Sequence, residues 1–174
     1  MKRIALIGLM LAFCQTATSE QPAPNIDSLR FLLGKWVGEG TSEVGAGTGY
    51  FTFELSLNNK VLVRKNHAEY PATTDRPLVT HDDLMVVYAD AAAKRLRAFY
   101  TDSEGNVINY TISLSSDSKS VVFLTDANTS GPRFRLTYVV TQPDKMALTF
   151  EMASPDKPSE FRKFIDGAVR KVSK

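Results

Sequence analysis

From Lys35 onward, apolar and polar residues alternate with a period of two, and turn-forming residues interrupt the alternation at short intervals. In Tyr50–Leu57, the residues Phe51, Phe53, Leu55 and Leu57 alternate with Tyr50, Thr52, Glu54 and Ser56. That is the signature of a half-buried strand. Asn58-Asn59 then turns the chain into Lys60–Tyr70, which predicts a hairpin. The same reading predicts strands at Lys35–Glu43, Asp83–Ala89, Arg95–Thr101, Val107–Leu114, Ser120–Thr125, Arg133–Thr141, Lys145–Ala153 and Glu160–Val169. Phe134, Leu136, Tyr138 and Val140 share one face, as do Met146, Leu148, Phe150 and Met152.

About ten strands joined by short turns leave no room for the long crossovers that parallel pairing needs. The sheet is therefore expected to be an antiparallel meander. An open sheet exposes two edges, and rolling it shut removes them. The expectation is an all-β, up-and-down antiparallel β-barrel with a short N-terminal helix. That helix falls within Asn25–Leu33, with Asp27 or Ser28 as its cap, Leu29, Leu32 and Leu33 on its apolar side, and Gly34 as its stop.

The first residues change the picture. Lys2 and Arg3 precede an apolar run, Ile4 to Phe13, which is too short to span a bilayer. Ala17-Thr18-Ser19 then offers the small residues of an export-signal cleavage site before Glu20. Leu11-Ala12-Phe13-Cys14 supplies the rival reading, a bacterial lipobox with bulky Phe13 where a small residue belongs. Only lipidation of Cys14 would give the protein a membrane partner. The expected organisation is a signal peptide over 1–19, a linker over 20–28 and a barrel over 29–174, placing the protein in the periplasm or outside the cell. One cysteine allows no internal disulfide. Without Lys2 and Arg3, the 21 basic residues fall to 19, equal to the 19 acidic ones. A near-neutral domain gives no sign of a nucleic-acid partner.

Gly34-x-Trp36-x-Gly38-x-Gly40, following Leu32-Leu33, resembles the opening of lipocalin-like (calycin) barrels. The chain is similar to a bacterial family of exported, functionally uncharacterised lipocalin-like proteins, and more distantly to nitrobindin-like haem barrels. Asn59–Arg64, Met85-Val86-Val87-Tyr88, Arg97–Thr101 and Phe161–Arg170 carry the resemblance over Leu29 to Arg170. It implies a barrel that encloses or presents a small apolar or amphipathic molecule. It also implies that an arginine of the last strand, Arg170 or Arg162, stacks on Trp36. Nitrobindin-like proteins hold haem through a histidine near the C-terminal strands. Here the histidines are His67 and His81, both in the first half, and the Tyr-Pro after the glycine motif is missing. Haem is not expected, and no other cofactor is.

Trp36 is expected to close one end of the core, with Gly34, Gly38 and Gly40 letting other backbone come close. The expected ligand-lining residues are Phe51, Phe53, His67, Tyr88, Tyr110, Phe134 and Tyr138. His67 shares a strand side with Lys65 and Glu69: facing inward it is a polar anchor, facing outward a solvated residue. In His81-Asp82-Asp83, only His81 and Asp83 would share a face, too few for a metal site without a partner such as His67. No Gly-x-Ser-x-Gly elbow points to a nucleophilic serine. Three functions follow: a small-molecule binding barrel, an enzyme acting on a lipid-like or phenolic ligand in such a barrel, and a structural or interaction barrel filled by its own side chains.

Overall fold

The computed structural model describes residues 25–39, 47–126 and 131–172. The export segment with Cys14, residues 20–24 of the expected linker, and Gly40 lie outside the described residues, while the linker's last residues are the cap and first turn of a helix rather than a link. After a 3-10 helix at Ile26–Leu32 come β1 (Gly34–Glu39), β2 (Thr48–Ser56), β3 (Val61–Tyr70), β4 (Val79–Asp90), β5 (Arg95–Asp102), β6 (Val107–Leu114), β7 (Ser120–Thr125), β8 (Arg133–Gln142), β9 (Lys145–Ala153) and β10 (Arg162–Val172). Each strand pairs antiparallel with its neighbours in sequence, and β1 pairs with β10 to close the barrel. The seam runs from Lys35 opposite Val172 to Glu39 opposite Ala168. The up-and-down barrel expected from the alternation is the observed fold.

Alternation puts one side of every strand in the interior. Trp36, Phe51, Phe53, Leu62, Met85, Val87, Leu96, Ala98, Tyr110, Ile112, Val121, Phe123, Leu136, Tyr138, Met146 and Val169 form one buried cluster. The rings interlock at its centre. Tyr138 meets Phe51, Phe53 and Phe123 edge-on, with centroids 5.6, 5.7 and 6.1 Å apart. Edge-to-face contacts of this kind add about 0.5–1.5 kcal/mol each beyond area burial.

The two ends of the barrel differ. At one end the strands are joined by the short turns after β2, β4, β6 and β8, and the 3-10 helix lies there against β3 and β4. Its buried residues are Ile26, Leu29 and Leu32. Their spacing of three suits a 3-10 helix, in which residues three apart eclipse on one face. Asn25, rather than Asp27 or Ser28, is the cap, its side chain accepting from the Ser28 N–H at 3.2 Å. Asn25 stands just ahead of the first turn, where a side-chain oxygen reaches the orphan donors.

Trp36 is buried at this closed end, and its Nε1 donates to the Leu32 carbonyl at 2.7 Å. The indole thus ties β1 to the helix that precedes it. The cation over its ring is Lys171, 5.4 Å from the centroid, not Arg170 or Arg162. Lys171 lies directly opposite Trp36 in the β1–β10 register and so shares its face. Arg170, one residue away, points to the other face and pairs with Glu39 at 3.2 Å. Gly34 has φ +117°, and a Cβ there would lie 2.6 Å from Lys171 Cε. The positive φ is what requires a glycine, since the end of the flexible Lys171 side chain could move aside. At Gly38 a Cβ would meet nothing within 4 Å, so close approach does not explain that residue.

Replacing Trp36 should therefore damage the closed end in two separable ways. Trp36→Ala is expected to cost about 3–5 kcal/mol through the cavity it leaves. Trp36→Phe is expected to cost about 1–3 kcal/mol, mainly by stranding the Leu32 carbonyl. Urea unfolding of both variants checks the order, and equal, negligible losses would contradict the stopper role.

Candidate functional site

The opposite end of the barrel carries the longer connections, after β3, β7 and β9. Here the inward-facing residues Asn66, His81, Tyr100, Ile108, Phe134 and Phe150 are half-buried, whereas their counterparts deeper in the barrel are sealed. This end is the mouth. In the cyclic strand order β4 stands opposite β9, so β3–β5 and β8–β10 form facing walls.

The β8–β10 wall is apolar. Phe134 stacks on Phe150, with centroids 5.8 Å apart and planes within 7°. Phe164 meets Phe150 edge-on at 6.3 Å. The β9–β10 register shifts between Lys163 and Ile165, so Phe164 sits on a bulge. A bulge re-aims a side chain out of strict alternation, and here it supplies an extra ring at the rim. Phe164 remains 52% exposed and Met152 42%. They border a concavity of about 470 Å³ whose remaining lining is polar and charged: Ser154, Asp156, Lys157, Glu160, Arg162 and Lys163. That volume lies in the range of small-molecule sites. A second depression, of about 390 Å³, is flanked by Lys65, Asp82, Leu84 and Thr101 on the outside of β3–β5. It is more open, and Asp102 and Ser103 carry it to the outer side of the rim.

The β3–β5 wall is polar, and its network descends into the core. His81 Nδ1 lies 2.8 Å from Glu104 Oε2 at the rim. His81 Nε2 is 3.4 Å from Asp83 Oδ2 and 3.5 Å from the Tyr100 hydroxyl. The other oxygen of Asp83 accepts from Arg64. The Asp83 and Arg64 side chains are only 4% and 7% exposed. Arg64 also lies over the Phe51 ring, 5.2 Å from its centroid. A charged pair in a barrel core is the most costly placement in the structure, because two ions leave water together.

The electrostatics follow from that burial. Burial pushes the Asp83 carboxyl up, opposed by Arg64 and His81. Burial works against the Arg64 charge, but Tyr138 and Asp83 outweigh it and leave its pKa raised, so the guanidinium stays charged. Tyr100 and Tyr110 are both raised, chiefly by burial. Tyr138 is pushed up to about 12 by burial, with the Arg64 charge as the main opposing influence. Although Arg64 is that close, Tyr138 Oη and Arg64 Nε have no hydrogen-bond partner within the described residues.

Of the seven residues expected to line a ligand site, Phe51, Phe53, Tyr110, Phe134 and Tyr138 face the interior. Tyr88 does not. It alternates with buried Met85 and Val87 and lies opposite Val61 and Arg97 on the outer face. His67 also faces outward, with Nδ1 2.8 Å from Asp82 Oδ1 and Nε2 3.3 Å from Glu69 Oε1. It cannot join His81, which points inward. His81 and Asp83 do share a face, as the triplet's alternation requires. The atoms of His81, Asp102 and Glu104 that could hold a cation lie within 4.8 Å of one another. In this structure those atoms belong to a network of hydrogen bonds at the rim. Arg64 was not singled out by the sequence reading, and Asp83 was weighed only as a metal ligand beside His81, not as the partner of a buried arginine. Their signal is parity, since Arg64 shares a strand side with Leu62, and Asp83 with Met85.

Neither a family model nor a curated protein matches the chain. Among solved structures, the chain is similar to EF1p2_mFAP2b bound to DFHBI, at 10% identity and a TM-score of 0.42, covering 86% of this chain and 100% of that one. It is also similar to a DUF3598-family protein of unknown function from Nostoc punctiforme, at 10% identity and a TM-score of 0.30, covering 86% and 99%.

Two outcomes are expected. Asp83→Asn should cost about 3–5 kcal/mol by leaving the Arg64 charge buried and unpaired, while Arg64→Met with Asp83→Leu should recover most of that loss. Equilibrium unfolding checks both. His67 should titrate above the ordinary imidazole range, because Asp82 and Glu69 hydrogen-bond its ring. Its contribution to stability is then fully present below the unfolded pKa and fades as pH rises through the folded one. Proton NMR of Asp82→Asn should show the His67 midpoint fall, and an unmoved midpoint would count against the pairing.

Proposed function

We propose that this protein is an exported, lipocalin-like barrel that holds a small amphipathic molecule at its mouth. The observation that carries the reading is the division of the mouth. Stacked Phe134 and Phe150, with Phe164 edge-on and Phe164 and Met152 bordering a concavity, lie across the strand order from a polar column running from Glu104 and His81 down to Asp83 and Arg64. Apolar walls supply the affinity for such a molecule, and a few fixed polar groups orient it. The glycine-tryptophan opening and the signal-like first residues support the family likeness and the export.

A second reading is favoured by one observation: below the mouth, the rings of Phe51, Phe53, Phe123 and Tyr138 interlock across the interior. On that reading the barrel is filled by its own side chains and acts through its surface.

Titration with Nile red, a neutral environment-sensitive dye, separates the two. Binding with a blue-shifted emission is expected. Phe164→Ala should weaken it by about tenfold or more, the loss of one well-buried aromatic contact. Leu57→Ala, in the β2–β3 turn at the closed end, should leave it unchanged. No dye binding, together with a bare protein mass by native mass spectrometry after gentle purification, would favour the filled barrel.

A further inference from the structure

We infer that the polar wall of the mouth holds a divalent first-row metal ion, of the zinc type, between His81, Asp102 and Glu104. Such a site does not require a small molecule in the barrel. Within His81-Asp82-Asp83 the imidazole has too few partners, and the β4–β5 pairing supplies them from the neighbouring strand. Asp83 stands opposite Asp102 in the register. Beyond that pair the Ser103 N–H donates to the Asp82 carbonyl at 2.9 Å, so the ladder continues and brings Glu104 beside His81. The nitrogen and the carboxylate oxygens that the three residues offer lie within 4.8 Å of one another. Donors around a tetrahedral zinc, each about 2.0 Å from it, lie about 3.3 Å apart. His81 Nδ1 and Glu104 Oε2 are 2.8 Å apart, and the exposed glutamate is free to widen that gap slightly.

Two further observations favour an ion over a self-contained network. The first is charge. Asp83 is neutralised by Arg64. Asp102 accepts from Tyr100 and Asn106, and Glu104 from Ser103. Among the described residues no lysine or arginine pairs with either, so two carboxylates face one imidazole. A divalent cation supplies the missing positive charge. The second is what stands behind His81. Asp83, 4% exposed, places Oδ2 3.4 Å from Nε2, the ring nitrogen other than the one facing Glu104. A carboxylate on the far nitrogen of a metal-binding imidazole fixes its orientation and tautomer, leaving the near lone pair for the metal. Arg64 holds that carboxylate in turn. His67 shows the contrast: Asp82 and Glu69 sit on its opposite ring nitrogens, so one ion cannot join all three. The donor set also selects the metal. An imidazole with two carboxylates suits zinc-type ions, whereas Mg2+ and Ca2+ take oxygen ligands.

The test is calorimetric titration of the untagged full chain with ZnCl2 and with MgCl2. The protein is first stripped of metal and carries Cys14→Ser, so that no thiol competes. Proton NMR gives the second readout, since the chain has 2 histidines. One equivalent of Zn2+ is expected to bind, at least about 100-fold more tightly than Mg2+. It should move the His81 ring signals while those of His67 stay in place. His81→Gln and Glu104→Gln should each weaken Zn2+ by about tenfold or more, the loss that even a partner behind a ligand causes. Glu104 lies in an exposed turn, so its variant keeps the fold whatever His81→Gln does. Zinc that moves His67 and not His81, or unchanged affinity in either variant, would overturn the inference. So would the absence of saturable Zn2+ binding, or equal binding of Mg2+.

Discussion

Pairing of the first strand with the last is the constraint on which everything else in this molecule depends. A strand edge left open exposes a row of unsatisfied amides, and the β1–β10 seam removes both edges at once. Closure also gives the sheet an inside, so that alternation becomes a division between core and solvent. Trp36 lies in that seam. Its neighbours across the two pairings are Lys171 and Phe51, and its indole N–H holds the carbonyl of Leu32. One side chain thereby connects the seam, the aromatic core and the helix at the closed end.

The asymmetry between the ends follows from how the strands are joined. Short turns and a helix crowd one end, so the core there is sealed. At the other end the longer connections leave the inner faces of β3–β6 and β8–β10 partly open to solvent. A bulge in β10 adds a ring to the apolar wall, and a buried ion pair anchors the polar one. These are departures from the simplest way to fill a barrel. Hydrophobic residues of similar volume in place of Arg64 and Asp83 would spare the desolvation of two charges. A chain that retains the pair, and surrounds it with Tyr100, Tyr110 and Tyr138, has kept polarity where packing alone would exclude it.

The architecture was legible because alternation is a local property. Phe51-x-Phe53-x-Leu55 states its own buried face without reference to any partner. Reading the site was harder, for reasons particular residues make plain. Asp83–Ala89 is apolar on both sides, so Tyr88 could be assigned to either face until Met85 and Val87 were seen buried. Arg170 and Lys171 are adjacent cations, and only the register of β10 against β1 decides which one meets Trp36. Arg64 was hidden by the general rule that arginine stays in water. The rule fails here because a carboxylate on the next strand travels inward with it, and that pairing is a long-range fact invisible in either strand alone.

The seam has a kinetic meaning as well. Its two halves sit at opposite ends of the described chain, so no local hairpin can stand in for it. Nine strands can zip up neighbour by neighbour while the tenth is still missing, yet the product is an open ribbon with two adhesive borders. High contact order of this sort slows folding and prolongs the time those borders stay exposed. The final segment, Arg162–Val172, therefore acts as the latch of the whole assembly. Until it arrives, β1 has only one neighbour and Trp36 lacks the lysine that covers it.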